Sequence, residues 1–417
     1  MTAHIASAAS PDPALTGKPT ALRVVPVTRE SELRPLIDAW WDLAARNACD
    51  RPAQSPLWLL AWWKVFGGLD NRQLSVALVY DGNQLVGIAP FLRRLLWYRR
   101  LIPYRRLEFL ATGEQTRDEI RSDYLGVIFE PGYEQRVIDA LADQWVREFP
   151  GSFDDIVLSP LDGDLPIWNY TARALSERGF LVEMQTLPPA PYIRLPNSWD
   201  GYLKSLSGTD RYFVNRSIRD FERWTAGAEV TVERVKSSAD LARGKEVLTK
   251  LHETRWRAAG QSGVFSSHLF KGFHDAVMPL LLDRGALELV WLNVSGEPVA
   301  VLYNLIWGNK TLAYQSGRAL GLPKGARPGI ILHLRMIREA IEAGRTEYDF
   351  LSGTSEYKAK MSNASRSVIG IRASQAPLRD LACAGLERGA AVVRAYRAKR
   401  GGAPPNGQPS HDRDGDG

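Results

Sequence analysis

The chain predicts an α/β (α+β) protein of two tandem units, each a mixed sheet flanked by helices. The first sign is element order: in each half two helices precede a hairpin, and a helix–strand pair follows it. The second is a weak internal repeat. Residues 77–89 (ALVYDGNQLVGIA) lie over 290–302 (VWLNVSGEPVAVL), each a strand, a glycine-containing turn and a second apolar strand. The third is the run from Arg327-Pro328-Gly329 to Tyr357-Lys358. Apolar residues Ile330, Ile331, Leu334, Met336, Ile337, Ala340 and Ile341 follow at helical spacing and stop at Gly344. A short apolar strand over 347–351 and a polar turn come next.

The elements follow in order. Residues 21–27 predict a strand and 29–47 a helix with Leu33, Leu36, Ile37, Trp40, Trp41 and Leu43 on its apolar face. A second helix covers 56–66. Strands 74–80 and 84–92 form a hairpin around Asp81-Gly82-Asn83. Strands are expected at 107–111, 124–129, 155–158, 181–185 and 192–195, and helices at 133–149 and 167–178. In the second half, 202–224 is helical and carries Arg211, Arg216, Arg219 and Arg223. A strand at 229–235, helices at 239–259 and 267–283, and a meander of 287–294, 298–307 and 310–316 follow. After the 327–343 helix come strands 348–351 and 368–373 and a last helix over 377–400. The expected division is a disordered leader over 1–20, units over 21–196 and 197–400, and a polar, Gly/Pro-rich tail over 401–417.

Composition narrows the classes. Of 417 residues, 45% are hydrophobic, which suffices for more than one core. Cys49 and Cys383 lie far apart, so neither a disulfide framework nor a thiolate metal site is expected, and a reduced cytoplasmic compartment fits best. Residues 1–20 lack a charged start with an apolar stretch and do not read as a signal peptide. No run approaches the roughly eighteen apolar residues of a spanning helix. The net charge of +6 favours anionic ligands without naming one. Arg93, Arg94, Arg99, Arg100, Arg105 and Arg106, interleaved with Leu, Trp and Tyr, predict an arginine-rich hairpin. Its charges are either solvated or form a groove edge for phosphate, RNA or an anionic headgroup. His268 and His274 have no acidic pair at metal spacing, so no zinc site is expected. Gly-x-Ser-x-Gly, Walker and dinucleotide motifs are absent from the sequence.

Several short stretches resemble one family. They are Leu251-His252-Glu253-Thr254-Arg255-Trp256, Val294-Ser295-Gly296-Glu297-Pro298-Val299-Ala300, Tyr314-Gln315-Ser316-Gly317, Pro328-Gly329, and Asp349-Phe350-Leu351-Ser352-Gly353 with Tyr357-Lys358. Ser122-Asp123-Tyr124-Leu125 supplies a marker in the first half. Together, over 23–372, they resemble the tandem GNAT-type acyltransferases of the CelD/BcsL (BioF2-like acetyltransferase) group, related to the FemABX enzymes. Arg327 stands where that group often has serine, and Met361 where it often has tryptophan. The sequence Lys324-Gly325-Ala326-Arg327-Pro328-Gly329 is a degenerate form of the GNAT pyrophosphate loop.

The resemblance implies two GNAT-like units and an acyl-CoA-dependent N- or O-acyltransferase with acetyl-CoA as donor. It also implies a role in bacterial cellulose or exopolysaccharide biosynthesis, on a small-molecule or glycan-precursor acceptor. Acyl transfer needs a phosphate site, a polar group for the thioester oxygen and a proton acceptor. A glycine-preceded helix start offers amides and a positive dipole end to phosphate. Lys324, Gly325, Arg327 and Gly329 are therefore the donor-binding candidates, against an ordinary loop with proline in the first turn. Asp349 is a base or acceptor anchor, or else a buried acceptor capping the turn after it. Tyr357 is a phenol able to return a proton to the thiolate, or a packing residue. His252 and Arg255 share a helical face beside Trp256; His252 is a base or a satisfied packing residue. Arg255, Trp256, Tyr314 and Lys358 are the substrate-binding candidates, and no metal is expected. An aminoacyl-tRNA-dependent transferase of FemABX type and a non-catalytic scaffold of a polysaccharide-synthesis assembly remain open as alternatives.

Overall fold

The computed structural model describes residues 21–47, 51–98, 101–149, 151–258, 260, 263–323, 325–353 and 355–375. The expected leader, the last helix over 377–400, the tail and Lys324 lie outside the described residues. The first half runs β1 (Arg23–Val27), α1 (Glu30–Leu33), α2 (Ile37–Arg46), α3 (Pro56–Phe66), β2 (Gln73–Leu74), β3 (Val76–Asp81), β4 (Gln84–Ala89), β5 (Phe91–Tyr98), β6 (Ile102–Phe109), β7 (Ile128–Phe129), α4 (Glu134–Glu148), β8 (Asp155–Asp162), α5 (Ile167–Glu177) and β9 (Leu181–Arg194). The second half runs α6 (Trp199–Ser205), α7 (Gly208–Trp224), β10 (Val230–Arg234), α8 (Ser238–Ala258), α9 (His268–Asp283), β11 (Leu287–Val294), β12 (Glu297–Trp307), β13 (Lys310–Arg318), α10 (Pro328–Glu342), β14 (Glu347–Asp349), α11 (Glu356–Met361) and β15 (Ala364–Ser374). The fold is mixed α/β, with sheets flanked by helices.

Local chemistry sets several boundaries. The single helix expected over 29–47 is broken, because Pro35 tightens Arg34–Leu36 into a 3₁₀ turn between α1 and α2. Likewise the helix expected over 202–224 divides at Ser207. Its hydroxyl accepts the Asp210 amide at 3.2 Å and starts α7 afresh. Ser55 caps α3 in the same way through the Trp58 amide, ahead of Pro56 at the first helical position.

Two sheets result. The smaller has the order β1-β3-β4-β7, and the larger β10-β11-β12-β13-β14-β9-β15-β8-β6-β5-β2. Pro90, between β4 and β5, marks where the first half divides between them. The large sheet therefore crosses both halves. Strand β9 of the first half lies between β14 and β15, and the last strand, β15, lies between β9 and β8. The stretches expected as strands 181–185 and 192–195 are one strand, β9, whose pairing with β15 is interrupted by a bulge between Arg366 and Val368.

One apolar core also spans the halves. Trp58 of α3 meets Phe273 of α9 edge-to-face at 4.8 Å and Tyr314 of β13 at 5.5 Å. A second core lies under α10 and takes in Tyr202, Phe221, Ile337, Tyr348 and Phe350.

The arginine-rich hairpin is β5–β6. Its four described arginines face carboxylates: Arg93 meets Glu148, Arg94 meets Glu108, Arg105 meets Asp154 and Arg106 meets Asp155. These guanidiniums tie the hairpin to its own half. Arg99 and Arg100 lie outside the described residues.

Candidate active site

Strands β13 and β14 run parallel but pair only at 310–312 with 347–349. β13 continues to Arg318 along β12, while β14 ends at Asp349. The pair therefore parts beyond Leu312 and Asp349, leaving a wedge at the carboxyl end of parallel strands, where α/β folds commonly place ligands.

The helix that follows β13 supplies the second feature. No side chain caps α10, and Pro328 occupies its first turn. A Cβ built on Gly329 would meet nothing within 4 Å. The helix start is thus uncapped by any side chain, with space beside Gly329 and the positive end of the helix dipole at this end. Gly325 holds φ +93°, and a Cβ there would sit 3.2 Å from Asp220 Oδ2. The left-handed φ favours glycine there. The Arg327 guanidinium lies 5.2 Å from the Phe213 ring centre and donates to Ser217 Oγ at 3.4 Å. Lys360 Nζ lies 5.1 Å from the same ring, so α11 and the approach to α10 share one side chain of α7.

At the end of β14, Asp349 is 1% exposed. Tyr124 donates to both of its oxygens at 3.2 and 3.0 Å, Arg366 Nη1 donates at 2.5 Å and the Leu351 amide at 2.7 Å. Burial pushes this carboxyl up to about 6, against the pull of Arg366, so it is ionised at neutral pH. Arg366 is a hub. Its Nε meets Asp162 at 3.1 Å and its Nη2 meets both oxygens of Glu347 at 3.0 Å. Arg51 also reaches Asp162, and Lys310 reaches Glu347. Three cations thus balance three carboxylates in a buried cluster joining β8, β14 and β15.

The loop before β7 belongs to the first half, yet it bonds into this site at successive residues. Ile120 O accepts from the Tyr314 hydroxyl, and Ser122 Oγ accepts from Trp58 Nε1 at 2.9 Å. Asp123 Oδ1 accepts from Ser352 Oγ at 2.6 Å, and Tyr124 O accepts from Gln54 Nε2 at 2.8 Å. Arg121, Tyr124 and Leu351 have φ of 53°, 60° and 59°, a region costly for residues with side chains. The bonds to Asp349 hold two of these three backbones in place.

The remaining candidates occupy distinct positions. Lys358 Nζ donates to Phe350 O at 3.0 Å and Ser352 O at 3.3 Å, fixing the turn after β14. Half-buried Tyr357 lies tilted against His333, 5.9 Å between ring centres. His333 Nδ1 shares a 2.9 Å hydrogen bond with the Tyr348 hydroxyl, and burial pushes its imidazole down to about 3. Tyr314 packs where the halves meet, its hydroxyl 3.4 Å from His274 Nε2. His252 is 3% exposed and edge-to-face with Phe265 at 5.0 Å. Ring contacts through Phe265 and His274 connect it to Tyr314. Arg255 and Trp256 lie in α8, but their side chains are outside the described residues.

The structure therefore gathers Asp349, Tyr357 and Lys358 around the end of β14, and Gly325, Arg327 and Gly329 at the start of α10. His252 is set apart in the core. Sequence reasoning did not single out Arg366 or Glu347, nor the partnership of Tyr124 with Asp349. The Ser122-Asp123-Tyr124 marker was the one available signal. Among the described residues, no group of three His, Cys, Asp or Glu is placed to hold a metal ion, and no helix is long and apolar enough to cross a membrane.

Residues 210–359 match the family described as acetyltransferase (GNAT) domain. Over 83% of this chain and 98% of the other, the fold is similar to that of FemX, at 14% identity and a TM-score of 0.56. Weaker likenesses include a C-terminal domain of a putative lysylphosphatidylglycerol synthetase from Agrobacterium fabrum, at 10% identity over 81% and 91% of the two chains and a TM-score of 0.47. Another is a tandem GNAT protein from the clavulanic acid biosynthesis pathway, at 12% identity over 84% and 98% and a TM-score of 0.44. No curated protein matches the chain. Residues 210–359, which hold the wedge, the open helix start and the end of β14, are thus the stretch that matches the acetyltransferase (GNAT) domain, and that match supports transferase activity.

Proposed function

We propose that the protein is an acyl-CoA-dependent N- or O-acyltransferase that uses acetyl-CoA and transfers the acyl group directly within a ternary complex. The observation that carries this reading is the uncapped, open start of α10 beside a parallel strand pair that parts at Asp349. In it, the amides following Arg327, with Gly325, Arg327, Gly329 and Lys324, hold the donor's diphosphate. The thioester enters the wedge. Asp349 anchors the strand end, since its oxygens already face four donor contacts, and Tyr357 returns a proton to the departing thiolate. Tyr314, Arg255, Trp256 and Lys358 border the acceptor side, and His252 supports the packing of α8 on β13. The units are 21–196 and 197–400, joined by the exchanged strands β9 and β15, with the donor held by the second. The acceptor fits a sugar-nucleotide or polysaccharide precursor, in cellulose or exopolysaccharide synthesis in the cytoplasm.

Calorimetric titration with acetyl-CoA tests the donor. The reading expects a one-to-one complex weakened about tenfold by Gly329→Ala, which is about 1.4 kcal/mol. Folding is untouched by that change, because the added methyl meets open space. Absence of heat at millimolar acetyl-CoA refutes it.

One observation favours a second reading, an aminoacyl-tRNA donor. Arg216, Arg219 and Arg223 lie exposed on α7, next to the approach to α10. Binding of charged tRNA that falls steeply with salt would support it, and indifference to tRNA would end it.

A further inference from the structure

We propose that the outer part of the β5–β6 hairpin is a membrane-contact arm, which seats the protein on an anionic lipid surface. The hairpin outruns the sheet that carries it. β2 pairs with β5 only at Leu92 and Arg93, and β8 pairs with β6 only from Arg106 to Glu108. Beyond those residues β5 and β6 pair with each other alone, out to Tyr98 and Ile102. A two-stranded ribbon is marginal in water unless something covers a face of it.

The root of the arm is fixed. Arg105 donates to Asp154 at 2.8 Å and to Gly151 O at 2.5 Å, and Tyr104 lies buried under the Arg372 guanidinium. The outer part is bare: Leu95, Trp97 and Leu101 are 38%, 58% and 67% exposed. Leu95 is opposite Arg105 and Trp97 opposite Pro103, two residues apart on β5, so the leucine and the indole share one face of the ribbon. Leu101 follows in the turn. A fourth bare residue joins this end of the sheet. Leu181, 58% exposed, pairs with Ser374, Ser374 with Asp155 and Asp155 with Arg106 at the root of the arm. Single exposed leucines are ordinary, but a tryptophan and three leucines gathered at one end mark a contact surface.

Charge identifies the partner. From Phe91 to Leu107 the sequence has six arginines and no acid. Four are matched by carboxylates of the fold, and the sequence of the turn adds Arg99 and Arg100 beside the apolar residues. Indole and leucine beside arginine suit the lipid–water boundary, where the ring sits at headgroup depth and guanidiniums meet phosphates. A second copy of the chain would bring arginine against arginine. Docking of this kind leaves the wedge in solution. β15 runs from Ala364, which shares Tyr192 with Asp349, to Ser374 near the arm. Those ten residues of strand span about 33 Å.

The test is co-sedimentation of the full chain with phosphatidylcholine vesicles, with and without about 30% phosphatidylglycerol, between about 50 and 500 mM salt. It needs no acetyl-CoA, so its outcome is independent of the transferase reading. Wild type should pellet with the anionic vesicles at low salt and be released by high salt or by omission of the anionic lipid. The double variant Trp97→Ser, Leu101→Ser should bind at least about tenfold more weakly. Leu280→Ser, which changes an apolar residue 45% exposed on α9, should stay within twofold of wild type. The three residues are already bare, so unchanged thermal midpoints should show each fold intact. A wild type that stays in solution with anionic vesicles at low salt overturns the inference, as does a double variant that binds like wild type. Light scattering covers the other occupant: a wild-type dimer that the double variant abolishes, without vesicle binding by either, assigns the arm to a second copy and overturns it too.

Discussion

Replacing Arg366 with methionine should unpick the seam between the two halves. Arg366 contacts Asp162, Glu347 and Asp349 at once. In Arg366→Met, Asp162 keeps Arg51 and Glu347 keeps Lys310. Asp349 alone loses its cation, at 1% exposure. Stranding one buried charge costs about 3–5 kcal/mol, so the variant should lose about 4 kcal/mol at pH 7.5. The loss depends on pH, with a definite sign. In the wild type Asp349 sits at about 6, above the roughly 3.9 of an unfolded aspartate. The folded state therefore binds more protons between those values, and this carboxyl's contribution to stability declines as pH rises through them. Without Arg366 the folded value climbs further, so the deficit from this charge should be largest at alkaline pH and nearly vanish by pH 5, where Asp349 is already mostly protonated in the wild type. Urea unfolding of wild type, Arg366→Met, Asp349→Asn and the double variant measures this. The cycle should return a coupling of at least about 2 kcal/mol. If Arg366→Met stays within about 1 kcal/mol of wild type at every pH, the cluster contributes no more than a surface ion pair, and the reasoning is wrong.

Further outcomes follow from the same contacts. Burial holds His274 and His333 at about 3, below their unfolded values, so their contribution is complete above pH 6.5 and is lost as pH falls toward 3. Each should cost about 2 kcal/mol between pH 7 and 5, and the His274→Phe, His333→Phe double variant should flatten that slope in urea unfolding. Gly317→Ala puts a Cβ 2.6 Å from the His252 backbone nitrogen. It should push α8 off β13, cost about 1–3 kcal/mol by the same assay and weaken acetyl-CoA binding. Tyr124→Phe removes the hydroxyl that bridges both Asp349 oxygens. It should cost about 1.5–3 kcal/mol by urea unfolding, with no loss if water replaces the hydroxyl fully.

Much of the second half was legible because its signals are local. The apolar spacing from Ile330 to Ile341 and the stop at Gly344 need no partner to be read, and α10 and β14 formed where they pointed. Breaks were harder. Pro35 and Ser207 override runs of good helical spacing by removing one amide hydrogen bond and by capping another. β9 looked like two strands because Pro188, Pro189 and Pro191 interrupt it, yet its neighbours β14 and β15 carry it through as one. The site itself was only half visible. Asp349, Tyr357 and Lys358 lie within ten residues of each other, whereas Tyr124 meets Asp349 from 225 residues away. Arg366 looked like one more cation in a strand, since nothing local announces three carboxylates around it. Four of the hairpin arginines that suggested a phosphate groove meet carboxylates instead, one on the hairpin itself and three on the segments beside it.

The most direct measurement is a crystal structure of the chain with acetyl-CoA. The diphosphate should rest on the amides of Gly329 and Ile330, and the thioester should lie between β13 and β14 within reach of Ser352. Donor density at any other surface, or a wedge closed by side chains at millimolar ligand, would contradict the account.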